Sequence, residues 1–250
     1  MVKRDTVYIW RIGPEAFKAL TLSRMEERIA SWRALLSPKE REKADAFRVE
    51  EPRREYIVAH AALRHLLGRC LGVSPGSLEI GGEDGTKPAL LPAVNQKMDL
   101  RFNLSHTRNA ILIGITSGRE LGIDTEWQRP MEDLDGMARS VMSDEELSIW
   151  SSLEPAVRLT AFYHLWTRKE SYLKAIGLGL FRSLQDVTVP VNADSIDDMA
   201  RLVRDRSGPG RWYVKNVPMP KDYSASICCE DGEAVQLATV DFDLAELDQC

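Results

Sequence analysis

One arrangement occurs twice in this 250-residue sequence, and it limits the fold more than any other feature. Each copy begins with a serine that is followed three residues later by glutamate, which is a helix capping box, and a long helical pattern comes next. Each copy then reaches a Ser-Leu pair in front of a strand-like segment. Ser143 and Ser183 of the second copy lie 106 residues after Ser37 and Ser77 of the first. The constant offset favours an internal duplication, although low residue identity between the copies leaves chance similarity open.

A duplicated chain of this length predicts an α+β fold made of two similar subdomains related by a pseudo-twofold axis. Each subdomain would have a small, mainly antiparallel sheet packed on one long helix, and the cleft between the subdomains would hold the active site. We expect residues 1–118 to form the N-terminal subdomain and residues 119–250 to form the C-terminal one.

The predicted boundary falls in a short turn, Ser117 to Glu120, between two strand-like segments. Ala110–Thr116 and Leu121–Trp127 contain the residues that strands favour, and their spacing is typical of a β-hairpin. Farther along, the segment Ala234–Phe242 is also strand-like. We expect this last strand to complete the sheet of the C-terminal subdomain.

The composition excludes several classes of function. The formal net charge of −5 argues against general binding of nucleic acid, which depends on neutralising phosphates with Lys and Arg. Because no run of about 18 apolar residues occurs, we expect no membrane span. The four cysteines are too few and too irregularly spaced for a disulfide framework or a zinc site, which is typical of a reduced, cytoplasmic protein.

Two carboxylates, Asp124 and Glu126, lie two positions apart in a predicted strand, so both side chains project from the same face of the sheet. Carboxylates held together repel each other unless a cation or a proton lies between them. Mg²⁺ suits such a pair, because it commonly binds one or two carboxylates and completes its coordination with the phosphate oxygens of a substrate. A solvated strand edge would give the same alternation.

Glu170 and Lys174 stand four residues apart in the helical segment Trp166–Ala175, so they share one helix face. A surface salt bridge is the simplest interpretation of this pair. The flanking Trp166 and Leu173 indicate instead that part of the face is buried. A glutamate at such a buried edge could be a third metal ligand or a general base, and the lysine could hold a phosphate oxygen. The helix pattern alone leaves both interpretations open.

Two further motifs offer weaker candidates. Ser105 and His106 end a strand-like run, where a turn could present hydroxyl, imidazole and backbone N–H groups to a phosphate. Lys87 and Pro88 belong to a Gly-Thr-Lys-Pro turn that would present the lysine on a rigid loop. A structural histidine and an ordinary surface turn are the alternatives.

In this order, four segments resemble the 4′-phosphopantetheinyl transferase superfamily of the Sfp type. These segments are Gly85–Pro88, Phe102–Thr107, Gly122–Glu126 and Phe162–Ala175. Gly177–Leu180 then follows as in the family, and the resemblance extends from about Ser37 to Cys229. The chain length is similar to that of the long, monomeric and internally duplicated members.

The resemblance implies an enzyme that transfers the 4′-phosphopantetheine group of coenzyme A to a serine of an apo acyl or peptidyl carrier protein and releases adenosine 3′,5′-bisphosphate. It also implies that Asp124, Glu126 and Glu170 bind Mg²⁺, with Mn²⁺ as an alternative metal. Glu170 would deprotonate the serine, directly or through water, and Lys174 would hold the pyrophosphate. The implied coenzyme A-binding residues are Lys43, Arg54, Lys87, Pro88, Ser105, His106 and Lys174.

Two other functions fit parts of the pattern. A metal-dependent phosphohydrolase could use the same three carboxylates, but it would usually need more His or Asp ligands than this sequence places near them. A coenzyme A-binding protein without catalysis would not require the full set of carboxylates and lysine. None of these motifs specifies which carrier protein is the partner.

Overall fold

The computed structural model describes residues 2–3, 5–18, 22–82, 86–95, 98–177, 183–191, 200–201, 204–205, 211–230 and 235–249. The chain divides into two compact units. Unit 1 contains Met1–Gly82, Pro88–Gly118 and Gln236–Cys250, and unit 2 contains Glu83–Lys87 and Arg119–Val235. None of the described helices is long and apolar enough to cross a membrane.

The helices and strands are named in chain order. The helices are α1 (Pro14–Lys18), α2 (Leu22–Arg33), α3 (Pro38–Asp45), α4 (Glu50–Leu71), α5 (Pro92–Asn95), α6 (Leu134–Val141), α7 (Asp144–Ser151) and α8 (Pro155–Ile176). The strands are β1 (Thr6–Ile12), β2 (Ile80–Gly81), β3 (Ala89–Leu90), β4 (Leu100–Thr107), β5 (Ala110–Ser117), β6 (Leu121–Trp127), β7 (Val187–Thr188), β8 (Ala200–Arg201), β9 (Arg204–Asp205), β10 (Trp212–Asn216), β11 (Tyr223–Glu230) and β12 (Gln236–Asp241). Short 3₁₀ helices cover Pro75–Ser77, Leu184–Asp186 and Leu244–Gln249.

Unit 1 is built on a four-stranded sheet in the order β12-β1-β5-β4. β1 runs parallel to β12, and the other two pairings are antiparallel. Helix α4 and this sheet share one core, in which Ile57 and Leu67 of the helix join Phe102 and Ile113 of the strands. The long helix is therefore anchored by burial of its apolar face.

A buried arginine joins the start of α3 to α4 in unit 1. The predicted capping box is present, and Glu40 accepts the backbone N–H of Ser37 at 2.7 Å. The same carboxylate accepts a hydrogen bond of 2.7 Å from Arg64 Nε, and Arg64 is only 1% exposed. Arg64 also donates to the carbonyls of Pro75 and Leu78. One guanidinium thus fixes the helix start and the segment after α4.

Unit 2 is built on a fully antiparallel four-stranded sheet in the order β6-β11-β10-β8. Helix α8 shares a core with it, which includes Phe162 and Tyr172 of the helix and Val214 and Cys228 of the strands. The sheet and the helix together carry all four residues that the sequence assigns to catalysis and metal binding.

Lys169 is a buried cation of unit 2. The second predicted capping box is present at Ser143, and its Glu146 lies 2.6 Å from Lys169 Nζ, with both side chains essentially inaccessible to solvent. Lys169 also donates to the carbonyls of Val141 and Leu184 at 2.7 Å. Lys169 therefore has a structural role, and a buried ion pair needs such additional hydrogen bonds to offset desolvation.

The predicted α+β class with small sheets and long helices is confirmed. The two units also share a strand order: β1 pairs with β5, which pairs with β4, and in the same way β6 pairs with β11, which pairs with β10. Helices α4 and α8 each span 22 residues and each end at a glycine with a positive φ. Glycine adopts this left-handed conformation without strain, so it terminates both helices.

Two predicted strand pairings are wrong. The expected hairpin of Ala110–Thr116 with Leu121–Trp127 does not form, because β5 pairs with β1 and β4 whereas β6 pairs with β11. The hairpin partner of β5 is β4, through a two-residue turn at Arg108 and Asn109, whose φ angles are 43° and 63°. The predicted C-terminal strand pairs as β12 with β1 of unit 1 and does not complete the sheet of unit 2.

Candidate functional site

Gly122 brings strand β6 directly against helix α8. A Cβ atom at this position would lie 2.0 Å from the carbonyl oxygen of Ser171 and 2.3 Å from the amide nitrogen of Ala175. Only glycine permits so close an approach of a strand to a helix. The strand positions that follow, Asp124 and Glu126, therefore lie beside the last turns of α8.

Across this contact, Lys174 of α8 pairs with Asp124 of β6. The Lys174 Nζ to Asp124 Oδ1 distance is 2.6 Å, and the side chains are 32% and 5% exposed, respectively. The lysine thus balances the buried strand carboxylate and is not merely half of a surface pair with Glu170. An ammonium at the edge of the site also remains accessible to an anionic ligand.

Two further carboxylates, Glu126 and Glu170, lie in the field of the Asp124 charge. Burial, followed by the Asp124 charge, raises the pKa of Glu126 to about 7, while Lys174 and a hydrogen bond from Trp166 act in the opposite direction. Burial, and then Asp124, also raise the pKa of Glu170. Such shifts show that the negative charges of this cluster are only partly balanced by the protein itself.

The chemistry of this cluster fits a hard divalent cation. Asp124 and Glu170 both act electrostatically on Glu126, and Glu170 Oε1 is buried without a hydrogen-bond partner in the described part of the chain. No group of three or more His, Cys, Asp or Glu side chains among the described residues is already arranged around a common metal position. A bound cation would therefore have to share Asp124 with the Lys174 ammonium or displace it.

In unit 1, His106 is held by a buried glutamate. His106 Nδ1 lies 2.7 Å from Glu55 Oε1, and Glu55 Oε2 accepts the backbone N–H of Asn109 at 3.1 Å. Ser105 and His106 both lie inside β4, so the prediction of a turn at these residues was wrong: the turn comes two residues later. Ser105 is buried at 6% exposure, whereas the His106 side chain is 30% exposed.

A second histidine, His60, lies within electrostatic range of His106 and of Lys43. His60 stacks on Tyr56 with 4.0 Å between ring centroids, and Lys43 Nζ lies 5.6 Å from the centre of the same Tyr56 ring. Burial lowers the pKa of His60, the hydrogen bond and charge of Glu40 act in the opposite direction, and the charges of His106 and Lys43 add smaller downward contributions. The structure therefore brings Lys43 and His106 into one electrostatic environment.

The remaining predicted coenzyme A-binding residues are less exposed to a ligand. Arg54 of unit 1 forms ion pairs with Glu50 at 3.1 Å and Glu26 at 3.4 Å. Lys87 belongs to unit 2, where it donates to Glu120 at 2.5 Å and to the carbonyl of Ala175 at 3.1 Å. Both residues would have to exchange protein partners to bind a phosphate.

Other motif residues add little to this description. Pro88 precedes β3 in unit 1. Gly85 and residues 178–180 of the predicted motifs lie outside the described residues.

Several contributors to these sites are missed by sequence reasoning. Glu55, Tyr56 and His60 lie on α4, where their spacing gives only an ordinary helix pattern. Trp166 is predicted as an apolar neighbour, but its hydrogen bond to Glu126 is not. Gly122 did carry a usable signal, because a glycine inside a strand often marks a close backbone approach.

The part of the chain that contains β6 and α8 is similar to known proteins. A sequence model of the 4′-phosphopantetheinyl transferase superfamily matches residues 120–228, which include both β6 and α8. The chain is 34% identical over 185 residues to the 4′-phosphopantetheinyl transferase HetI of Nostoc sp., covering 74% of each protein. It is 25% identical over 197 residues to the 4′-phosphopantetheinyl transferase Sfp of Bacillus subtilis, covering 78% of this chain and 82% of that protein.

A likeness to a solved structure is weaker. The crystal structure of Thermotoga maritima holo-[acyl-carrier-protein] synthase matches with a TM-score of 0.31 and 15% identity, covering 46% of this chain and 64% of that one. This value is too low to support a conclusion about the fold.

Proposed function

The chain belongs to the 4′-phosphopantetheinyl transferase superfamily, and from this membership we propose a division of labour between its two units. The protein is an enzyme that transfers the 4′-phosphopantetheine group from coenzyme A to a serine of a carrier protein, which leaves adenosine 3′,5′-bisphosphate as the second product. Unit 2 would carry the metal and the catalytic residues, and unit 1 would bind coenzyme A.

The observation that carries the assignment of unit 2 is the contact of β6 with α8, which places three partly unbalanced carboxylates beside one lysine. Asp124, Glu126 and Glu170 would hold the Mg²⁺ ion, with Mn²⁺ as an alternative. The ion would neutralise oxygens of the coenzyme A diphosphate and so favour attack on it and departure of the bisphosphate.

Glu170 is the group that would accept the proton of the carrier serine, directly or through a water molecule. Burial and the neighbouring Asp124 charge raise its pKa, so its carboxylate is a stronger base than an exposed one. As the serine oxygen bonds to the phosphorus that carries pantetheine, the bond from that phosphorus to the bisphosphate oxygen breaks. The serine proton passes to Glu170, and the electron pair of the broken P–O bond leaves with the bisphosphate.

Lys174 would exchange its ion pair with Asp124 for contact with the substrate. In the described structure it pairs with Asp124, and its side chain is 32% exposed. With Asp124 holding a cation, the Lys174 ammonium would be available to the diphosphate and to the charge that grows on the leaving group.

In unit 1, His106, with Lys43 in its neighbourhood, would bind the phosphates of coenzyme A. Lys43 and His106 are the better supported ligands, because both act on the same electrostatic environment at His60. Arg54 and Ser105 would complete this side, and Lys87 with Pro88 would lie along the adenine. The shared strand order of the two units supports the proposed internal duplication.

The test of this function uses intact mass spectrometry. The protein is incubated with coenzyme A and an apo acyl or peptidyl carrier protein, with Mg²⁺ or with a chelator. We expect the carrier to gain the mass of one phosphopantetheine group only when Mg²⁺ is present. Replacement of the exposed Glu154, Glu154→Gln, serves as a control and should leave the gain unchanged. An unmodified mass across acyl and peptidyl carriers would contradict the proposed activity.

A further inference from the structure

One buried carboxylate of unit 1 connects helix α4 to the β4–β5 hairpin. Its two oxygens bind different donors: Glu55 Oε1 lies 2.7 Å from His106 Nδ1, and Oε2 accepts the N–H of Asn109 at 3.1 Å. The Glu55 side chain is 10% exposed, so water competes little for these hydrogen bonds.

The hydrogen bond determines which ring nitrogen of His106 carries hydrogen. An ionised carboxylate can only accept, so the Nδ1 atom that contacts Glu55 must donate. The ring then has hydrogen on Nδ1 in both its neutral and its charged form, and its plane is fixed by that bond. Nε2 is the ring nitrogen that Glu55 does not engage, and the side chain retains 30% exposure.

The turn between β4 and β5 also helps to fix the Glu55 carboxylate. Asn109 has a left-handed φ of 63°, and its backbone N–H is directed at the second oxygen of Glu55. The carboxylate is consequently held at two points, which limits its rotation and that of the imidazole bound to it. Such a second layer of support is what keeps a ligand-binding ring in a single orientation.

We propose that Glu55 is a positioning residue for coenzyme A: it orients His106 so that Nε2 of the charged ring, which carries hydrogen on both nitrogens, donates to a phosphate of this co-substrate. The role rests on the proposed binding function of His106. Lys43 lies 5.6 Å from the Tyr56 ring, on which His60 stacks, and His60 is within electrostatic range of both Lys43 and His106. The positive charge of Lys43 favours an anion in this neighbourhood. Loss of the Glu55 carboxylate would loosen the ring without removing it.

The test is a double-mutant cycle on the Michaelis constant for coenzyme A. Glu55→Gln has only one acceptor oxygen, so it cannot accept from the His106 Nδ1–H and the Asn109 N–H through separate oxygens, and its NH₂ group would favour the other tautomer of His106. We expect Glu55→Gln and His106→Ala each to raise KM for coenzyme A roughly tenfold with little change in kcat, the size of a lost oriented hydrogen bond to a charged group. The double variant should match His106→Ala, because Glu55 acts through that ring.

The matched control is Glu51→Gln, the same change one helical turn earlier at an exposed position, which should leave KM unchanged. An equal penalty from Glu55→Gln in the wild-type and His106→Ala backgrounds would show a general structural role and overturn the proposal. A normal KM in His106→Ala would instead overturn the binding role of His106.

Nitrogen-15 NMR of the four histidines tests the orientation without any variant of Glu55. We expect His106, assigned by its loss in His106→Ala, to show hydrogen on Nδ1. A neutral ring with hydrogen on Nε2 alone would contradict the proposal even if Glu55→Gln failed to fold.

Discussion

Helices α4 and α8 are built alike, yet only α8 carries the proposed catalytic pair. Each spans 22 residues, and each follows a short helix with a capping box. Counted from the helix starts, Arg64 of α4 corresponds to Lys169 of α8, and both are buried cations that bind the capping-box glutamate of their own unit. The structural cation is therefore common to the two helices.

The positions next to these cations differ. Where α8 has Glu170 and Lys174, α4 has His65 and Arg69, and these two face Glu246 near the C-terminus at 3.8 Å and 2.5 Å. The β6 carboxylates have no counterpart in that contact. The two helices thus share their length, their C-terminal glycine and their buried cation. They differ in the residues next to that cation and in the side chains that these residues contact, and the proposed chemistry depends on this difference.

Among the variants that separate α8 from α4, we expect Glu170→Gln to have the largest effect. Loss of the proposed base and metal ligand should lower kcat roughly 10³–10⁴-fold, while coenzyme A still binds. The matched control is His65→Gln at the corresponding position of α4, which should leave kcat within about twofold if the protein stays folded. Carrier modification measured by mass spectrometry and calorimetric binding of coenzyme A would check both. Near-normal turnover of Glu170→Gln would refute the assigned role.

The buried cations that α4 and α8 have in common are tested through the free energy of unfolding. Lys169→Met leaves the buried Glu146 without its cation, and breaking a buried pair in this way costs about 3–5 kcal/mol. Arg64→Met should cost a similar amount through Glu40, which His60 also contacts. The free energy of unfolding from urea titration measures both. A loss below about 1 kcal/mol for Lys169→Met would show that the pair is not structural.

A smaller effect is expected from Gly122→Ala. The added methyl group must push β6 away from α8, which should cost about 1–3 kcal/mol and reduce transfer because Lys174 and Asp124 separate. Gly76→Ala is the control, since a Cβ atom there would meet nothing within 4 Å. Urea unfolding and transfer rates should both separate the two variants. Equal behaviour would mean that the strand–helix contact is not tight.

The smallest effect concerns pH. Burial and Asp124 raise the pKa of Glu126 from 4.5 to about 7, so between these values the folded protein binds more protons than the unfolded chain. Stability from this group is present below pH 4.5 and is lost as the pH rises through 7. In metal-free buffer Glu126→Gln should remove this loss of stability at high pH. We therefore expect the Tm of the variant at pH 8 to exceed that of wild type by a few degrees, at about 2–4 °C per kcal/mol.

Glu154→Gln, at an exposed glutamate, serves as the control for this pH experiment. Its Tm should follow the wild-type curve from pH 4 to pH 8. A Glu126→Gln curve that is parallel to wild type over the whole range would contradict the assignment of this titration to Glu126.

Much of the frame could be predicted from sequence because its signals are local. Ser37 and Ser143 cap their helices through contacts three residues away, and Pro155 begins α8 as its fixed φ favours. The pairing of β12 with β1 could not be predicted, since it joins the two ends of the chain. The β5 hairpin was assigned to the wrong neighbour because Arg108-Asn109 lacks the glycine that usually marks such a turn.

The candidate site was predicted only as two separate pairs. The alternation in β6 and the helical spacing in α8 each place two residues on one face. The partner of Lys174 could not be derived from either pattern, because its ion pair with Asp124 spans 50 residues of sequence. Glu55 is likewise recognisable only from its contacts with residues more than 50 positions away.

The most direct test of the account is a Mn²⁺ titration followed by electron paramagnetic resonance, with coenzyme A present. If the β6–α8 carboxylates form the metal site, the wild-type protein and His65→Gln should bind one Mn²⁺ with the same affinity, and Asp124→Asn and Glu170→Gln should each bind it at least roughly tenfold more weakly. Equal Mn²⁺ affinity in all four proteins would contradict the claim that these residues hold the metal.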